Sequence, residues 1–146
     1  SMTTLNRLAA EVVRESHAGV HGMTDITGFG LIGHAREMAQ GSGVSLRLHS
    51  AAVPLLAGAL ECVTSGFVPG GLKANRDFAE CLVGYGDGIP DESKTILFDP
   101  QTSGGLLISV AAADAKGLLD KLRQRGVEAA EIGEVVAQTK PLISVE

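Results

Sequence analysis

Residues 21–30 read His-Gly-Met-Thr-Asp-Ile-Thr-Gly-Phe-Gly. An extended segment runs into a glycine turn and then a helix start. Helix N-termini offer free N–H groups and a partial positive charge, which attract phosphate. Asp25 lies just before that turn. A carboxylate beside a phosphate-binding turn is a common way to hold Mg²⁺ against nucleotide oxygens. Equally, Asp25 can simply cap or brace the turn.

Gly28-Phe29-Gly30-Leu31-Ile32-Gly33 also matches G-x-G-x-x-G, the dinucleotide fingerprint. That reading needs an apolar strand before it and an acidic residue about 20 positions later. Residues 47–56 contain no Asp or Glu, and Thr-Asp-Ile-Thr is too polar for a buried strand. A dinucleotide-binding oxidoreductase is therefore a weak alternative.

Two further stretches can bind anions. Asp99-Pro-Gln-Thr-Ser-Gly-Gly105 sets hydroxyls beside paired glycines, as in an anion nest. It is equally a turn held by local Asp and Ser bonds to the backbone. Pro69-Gly-Gly-Leu-Lys-Ala-Asn-Arg76 offers two cations and an amide, against a default reading as a solvated loop. His17, His21, His34 and His49 form no metal-ligand spacing and read as structural or exposed. Cys62 and Cys81 make no C-x-x-C pair and read as small core residues of a reducing cytosol. No G-x-S-x-G elbow, P-loop or convincing nucleophile is present.

The elements that position these residues follow from periodicity. Leu5, Leu8, Ala9, Val12 and Val13 predict a first helix ending near His17. Val20–Met23 is extended. Thr27 is placed to cap a second helix with Leu31, Ile32, Ala35, Met38 and Ala39 inward, stopped by Gly41. Val44, Leu46 and Leu48 alternate as a half-buried strand. A third helix is predicted from Pro54 to Gly66, with Leu56, Ala59, Leu60 and Val63 inward. Residues 66–90 read as irregular, and a short helix spans 91–97. Leu106–Val110 reads as a buried strand. Ala115, Leu118, Leu119 and Leu122 define a helix closed by Gly126. Strands at 130–136 and 142–145 end the chain. The pattern predicts an α+β sandwich with a mixed sheet.

Composition narrows the function. The 146 residues carry 12 Lys plus Arg against 17 Asp plus Glu, a net charge of −5, so nucleic acid is an unlikely partner class. No apolar run reaches the ~20 residues of a membrane span. Hydrophobic residues at 45% exclude a disordered chain, and 3% aromatics imply an aliphatic core. The start shows no signal or transit peptide, and Ser1 ahead of Met2 reads as a scar of tag removal on a fragment.

Taken together, the motifs resemble a known family. His21-Gly-Met-Thr-Asp-Ile-Thr-Gly-Phe-Gly-Leu-Ile-Gly-His34 resembles H-x-x-T-D-x-T-G-F-G-L-x-G-H of selenophosphate synthetase, or selenide, water dikinase. Phe98-Asp-Pro-Gln-Thr-Ser-Gly-Gly-Leu-Leu107 resembles its F-D-P-Q-T-S-G-G-L-L motif. Gly70-Gly71 followed by Asn75 is similar to its G-G-x-x-x-N stretch. The resemblance implies the C-terminal domain of a two-domain, aminoimidazole ribonucleotide synthetase-like enzyme. Such an enzyme makes selenophosphate from selenide, ATP and water, releasing AMP and phosphate. It implies Mg²⁺ at Asp25, and a nucleotide-side role for Thr24, Thr27, Gly28, Gly30, Gln101, Thr102 and Ser103 with no contact assigned to each. The catalytic Cys or selenocysteine and Lys belong to an N-terminal domain absent here, so residues 1–146 form one domain, inactive alone. The implied whole is a cytoplasmic homodimer. The competing expectations are a stand-alone binding module of the same fold and a sister ATP-dependent enzyme.

Overall fold

Both glycine-rich motifs hang from the ends of one pair of strands. The computed structural model describes residues 3–146; Ser1, read above as a tag scar, and Met2 lie outside the described residues. In chain order the elements are α1 (Arg7–Ser16), β1 (Val20–Asp25), α2 (Gly30–Ser42), β2 (Val44–Leu48), α3 (Ala59–Thr64) and α4 (Gly70–Ala79). They continue with β3 (Val83–Tyr85), α5 (Asp91–Ile96), β4 (Leu106–Val110), α6 (Ala112–Gln124), β5 (Gly133–Ala137) and β6 (Ile143–Val145). The expected α+β architecture is present, with the strands divided between two sheets. β1 pairs antiparallel with β4, while the other four form a mixed sheet in the order β3-β6-β2-β5. Within it β2 runs antiparallel to β5 and parallel to β6, and β3 runs parallel to β6.

Two aliphatic cores result. The larger joins Ile32 and Ala35 of α2, Leu72 and Ala79 of α4, Leu48, Ile143 and Val145 of the mixed sheet, and Leu97 with Phe98. The smaller joins Ala9 and Val12 of α1 to Leu118 and Leu122 of α6. Strand β4 separates them. Leu106, Ile108 and Val110 pack on the smaller core, and Leu107 packs on the larger. Side chains alternate across a strand, so an apolar run with a core on each face is what this position requires.

Several expectations need correction. Leu106–Val110 is half-buried throughout, because a two-stranded pair leaves its edges open. Leu5 and Leu8 are exposed, so α1 buries only Ala9 and Val12 and half-buries Val13. Thr27 caps no helix: α2 begins at Gly30 behind Phe29, without a side-chain cap. Gly41 does not stop it either; Gly43 does, in the left-handed conformation at φ +64°. The third helix starts only at Ala59, and Leu55 and Leu56 stay exposed. Residues 66–90, read as irregular, contain α4 and β3. The glycines at 70 and 71 hid that helix, since they sit at its first turn, where their low propensity costs least. Cys62 and Cys81 are exposed, not core residues, because α3 and the turn at Glu80–Leu82 bury no side chain.

Ser45 departs from the alternation in an informative way. It is 1% exposed, although the period placed it outward. β2 lies between β5 and β6, so the short connection joining those strands crosses beside the start of β2. Ser45 Oγ donates to the Thr139 carbonyl at 3.1 Å and accepts from the Thr139 N–H at 2.9 Å. One hydroxyl thus satisfies both backbone groups of the crossing. Ser45→Ala removes both bonds and is expected to cost about 1–3 kcal/mol by urea unfolding at pH 7. An unchanged midpoint would show that water replaces the hydroxyl.

Candidate functional site

Antiparallel pairing sets the end of one strand beside the start of the other. In β1 and β4 the pairing runs from Val20 opposite Val110 to Asp25 opposite Leu106. The turn at 26–29, leaving β1, therefore lies against the loop at 98–105, entering β4. Three backbone bonds join them. Ile26 N–H donates to the Gly105 carbonyl at 2.9 Å, Gly104 N–H to the Ile26 carbonyl at 3.1 Å, and Gln101 N–H to the Thr27 carbonyl at 3.0 Å.

Such close approach needs glycine at two places. A Cβ on Gly104 would collide with the Ile26 carbonyl oxygen. Gly30 holds φ +69°, and a Cβ there would lie 2.7 Å from the Phe98 carbonyl carbon. The fully buried Phe98 ring anchors the loop in the larger core. From the other side, Asn6 Nδ2 donates to the Gly104 carbonyl at 2.9 Å. Ser103 holds φ +116°, a strained value for a residue with a side chain.

The third motif joins the same place, as a helix and not as the loop expected. Asn75 of α4 donates from Nδ2 to the Gly28 carbonyl at 2.9 Å and to the Phe98 carbonyl at 3.0 Å. Next to it, Arg76 donates from Nε to Glu80 at 2.8 Å, and from its Nη atoms to Thr95 at 2.8 Å and Asp91 at 3.1 Å. That fixes α4 on α5. The guanidinium holds the Asp91 carboxyl below the usual carboxylate range.

The expected site residues are arranged as follows. Along β1, exposed His21, Met23 and Asp25 alternate with half-buried Val20, Gly22 and Thr24. Asp25 is thus the exposed final residue of the strand. Thr24 Oγ1 donates to the Asp25 carbonyl at 3.2 Å. Gly28 is exposed, whereas Gly30 is buried under Phe98. Thr27 Oγ1 bonds His34 Nε2 at 3.0 Å, and His34 Nδ1 lies 3.5 Å from Glu37. His34 is buried, as its structural reading required, while His17, His21 and His49 are exposed. Gln101 turns its amide inward onto Asp99 Oδ2 at 2.7 Å, and Thr102 and Ser103 are exposed at the loop tip. Sequence reasoning noted Asn75 but placed it in a loop, and it passed over Asn6 and the Thr27–His34 bond. Only Asn75 had a signal, the G-G-x-x-x-N spacing.

Chemically, the turn offers donors beside a carboxylate. Among the described residues, nothing accepts from the N–H groups of Thr27, Gly28 and Phe29. Successive N–H groups of this kind form an anion-binding concavity. Among the described residues, no group of three His, Cys, Asp or Glu could hold a metal ion. Asp25 is chemically suited to be a single metal ligand, and a complete ligand set would need groups beyond the described residues. The dinucleotide alternative fails on topology. β1 and β2 lie in different sheets, so no parallel βαβ unit forms around α2. No helix among the described residues is long and apolar enough to cross a membrane.

Burial pushes the Asp99 carboxyl above the ordinary carboxylate range, and the Gln101 hydrogen bond partly opposes this. A raised native value means the folded state binds the proton more tightly, so the ionised form costs stability at neutral pH. Asp99→Asn keeps an acceptor for Gln101 and drops the charge. It is expected to raise the melting temperature at pH 7, with the gain vanishing at pH 3, where both chains are uncharged at residue 99. A lower melting point at pH 7 would show that the carboxylate is a net brace.

The family model described as AIR synthase related protein, C-terminal domain, matches residues 1–145. The chain is 46% identical over 147 residues to selenide, water dikinase of Pelobacter propionicus, covering 100% of this chain and 42% of that protein. The Pseudomonas aeruginosa protein of the same name is 44% identical over 147 residues, covering 99% and 40%. Selenide, water dikinase 2 of Peptoclostridium acidaminophilum is 42% identical over 145 residues, covering 99% and 41%. The chain thus spans about two-fifths of the length of the curated relatives it matches. Among solved structures, E. coli HypE superposes with a TM-score of 0.63 at 19% identity, over 99% of this chain and 36% of HypE. Thiamine-monophosphate kinase of Stenotrophomonas maltophilia gives 0.53 at 16% identity, over 88% and 32%. These likenesses show a shared fold, and the sister enzymes stand further off than the dikinases. The matched model spans the glycine-rich turn, the loop before β4 and α4 alike, and the chain belongs to the AIR synthase related family, as its C-terminal domain.

Proposed function

We propose that this chain is the C-terminal domain of a selenophosphate synthetase, which makes selenophosphate from selenide, ATP and water with release of AMP and phosphate. The supporting observation is the end-to-end identity to selenide, water dikinases, 46% in the first of them, over motifs that fold into one exposed edge. The missing three-fifths of the relatives' length would supply the nucleophile and the other metal ligands, and the contacts of a homodimer in the cytoplasm. A HypE of the same fold has been crystallised with ATP, which supports a nucleotide-binding role for this scaffold.

In this reading the exposed carboxylate of Asp25 would be this domain's ligand for the Mg²⁺ that accompanies ATP. The chemistry such an ion would supply is neutralisation of phosphate charge during phosphoryl transfer. The N–H groups of Thr27, Gly28 and Phe29 donate to phosphate oxygens at fixed positions. Thr24 and Thr27 brace the turn beneath them, Thr27 through His34. Gly30 lets the turn seat against Phe98. Gln101 holds the second loop closed through Asp99, so that Thr102 and Ser103 face the nucleotide from the other side. No group in this chain acts as nucleophile, so this domain alone is inactive.

The test uses the protein of the complete reading frame with Mg²⁺, ATP and selenide under anaerobic conditions. Phosphorus NMR is expected to show a selenide-dependent selenophosphate signal with AMP and phosphate. ATP left untouched, or ADP formed regardless of selenide, would overturn the reading. In that protein Asp25→Asn is expected to lower kcat/KM by about 10²-fold or more, the scale of lost charge stabilisation in a transition state. Its melting temperature should match wild type, since Asp25 is exposed and makes no side-chain bond among the described residues. A variant that instead melts well below wild type would make Asp25 a structural brace.

A further inference from the structure

Gly28 has nothing within 4 Å of where a Cβ would stand, and it carries none. Gly28 thus brings no side chain to brace the peptide that joins it to Phe29, which stands at the centre of a turn closed by Gly30 N–H donating to the Thr27 carbonyl at 3.0 Å. In a trans peptide the carbonyl and the following N–H point in opposite directions. Whatever holds the Gly28 carbonyl thus decides where the Phe29 N–H points. That holder is Asn75, whose Nδ2 lies 2.9 Å from the Gly28 oxygen. The second proton of the same amide goes to the Phe98 oxygen at 3.0 Å. Phe98 is fully buried, and the peptide beyond it is fixed by Asp99 N–H donating to the Ile96 carbonyl at 3.1 Å. One end of the bridge is rigid and the other end is the Gly28–Phe29 peptide. The helix bearing Asn75 is itself clamped to α5 by Arg76.

We infer that Asn75 is a positioning residue, which orients the Gly28–Phe29 peptide so that the Phe29 N–H faces away from α4 as an anion donor. The inference rests on the ATP-binding reading above and does not require selenide as the acceptor. Both neighbours of the Asn75 amide are carbonyl oxygens, so only a donor serves there. Replacing the amide by alanine frees the peptide. Replacing it by aspartate sets a carboxylate against two carbonyls and turns the peptide the wrong way. A side chain that merely filled space would show the opposite order, since aspartate keeps the shape.

The experiment compares wild type, Asn75→Ala and Asn75→Asp in the protein of the complete reading frame. Steady-state kinetics in MgATP is combined with the backbone amide resonance of Phe29, followed as MgATP is added. Wild type should show a MgATP-dependent shift of that resonance. Asn75→Ala should lose the shift and about 30-fold or more in kcat/KM, as expected when donors aimed at a developing charge are misplaced. Asn75→Asp should be worse than Asn75→Ala. Wild-type kinetics in Asn75→Ala, or aspartate no worse than alanine, would overturn the proposal. Should Asn75→Ala fail to fold, Asn75→Ser keeps one short donor and should lie between wild type and Asn75→Asp; wild-type behaviour there also overturns it. A wild type that makes no selenophosphate but shows the Phe29 shift sinks the selenium reading and leaves Asn75 in place. A wild type that makes selenophosphate with no Phe29 shift does the reverse.

Discussion

A two-stranded antiparallel pair is marginal in water on its own. Here β1 and β4 must nevertheless keep one register, because a slip of one residue would reverse every side chain and pull the two glycine-rich segments apart. The register is held from both faces. Half-buried Leu106, Ile108 and Val110 pack on the core that α1 and α6 form, and half-buried Leu107 packs on the larger core. Neither core alone would fix the pair; together they make β4 a shared wall. Everything exposed at the end of β1 inherits its position from that packing.

Close backbone approach does the remaining work around the site. The turn and the loop meet through main-chain bonds, and two of the glycines present are there because a methyl group would collide with a carbonyl. Main-chain contacts cost no side-chain entropy and leave few degrees of freedom. They also leave side chains and spare N–H groups pointing outward. Asn75 and Asn6 grip the assembly at carbonyls from distant parts of the sequence, one from α4 at mid-chain and one from just before α1. The strained φ of Ser103 sits at the tip of this clamp, where strain is tolerated because the flanking residues are fixed on both sides.

This construction suits a domain that completes a site without performing the chemistry. It presents one carboxylate and a set of donors on a rigid edge. It buries His34 beneath that edge, between Thr27 and Glu37. A phosphoryl-transfer site assembled between two domains gains from such an edge, since preorganised donors need no rearrangement as charge develops.

Much of the fold was legible from periodicity. The first helix, the second helix, the strand at 44–48 and the closing strand–helix–strand run are present near where apolar spacing put them, with β5 at Gly133–Ala137 in place of 130–136, and Asp25, Thr27 and Phe98–Gly105 stood out by residue type. Periodicity misled where burial depends on what crosses overhead: Ser45 is buried by the β5–β6 connection, and β4 is half-buried although wholly apolar but for one serine. It also failed where glycine masks a helix, as at Gly70 and Gly71. By itself the sequence determined the chemistry on offer, because carboxylates, hydroxyls and glycines are local facts. Only the tertiary structure decided that three segments far apart in the chain form one site. That outcome rests on the antiparallel register of β1 with β4 and on the two protons of the Asn75 amide, and both are contacts between residues that no local pattern relates.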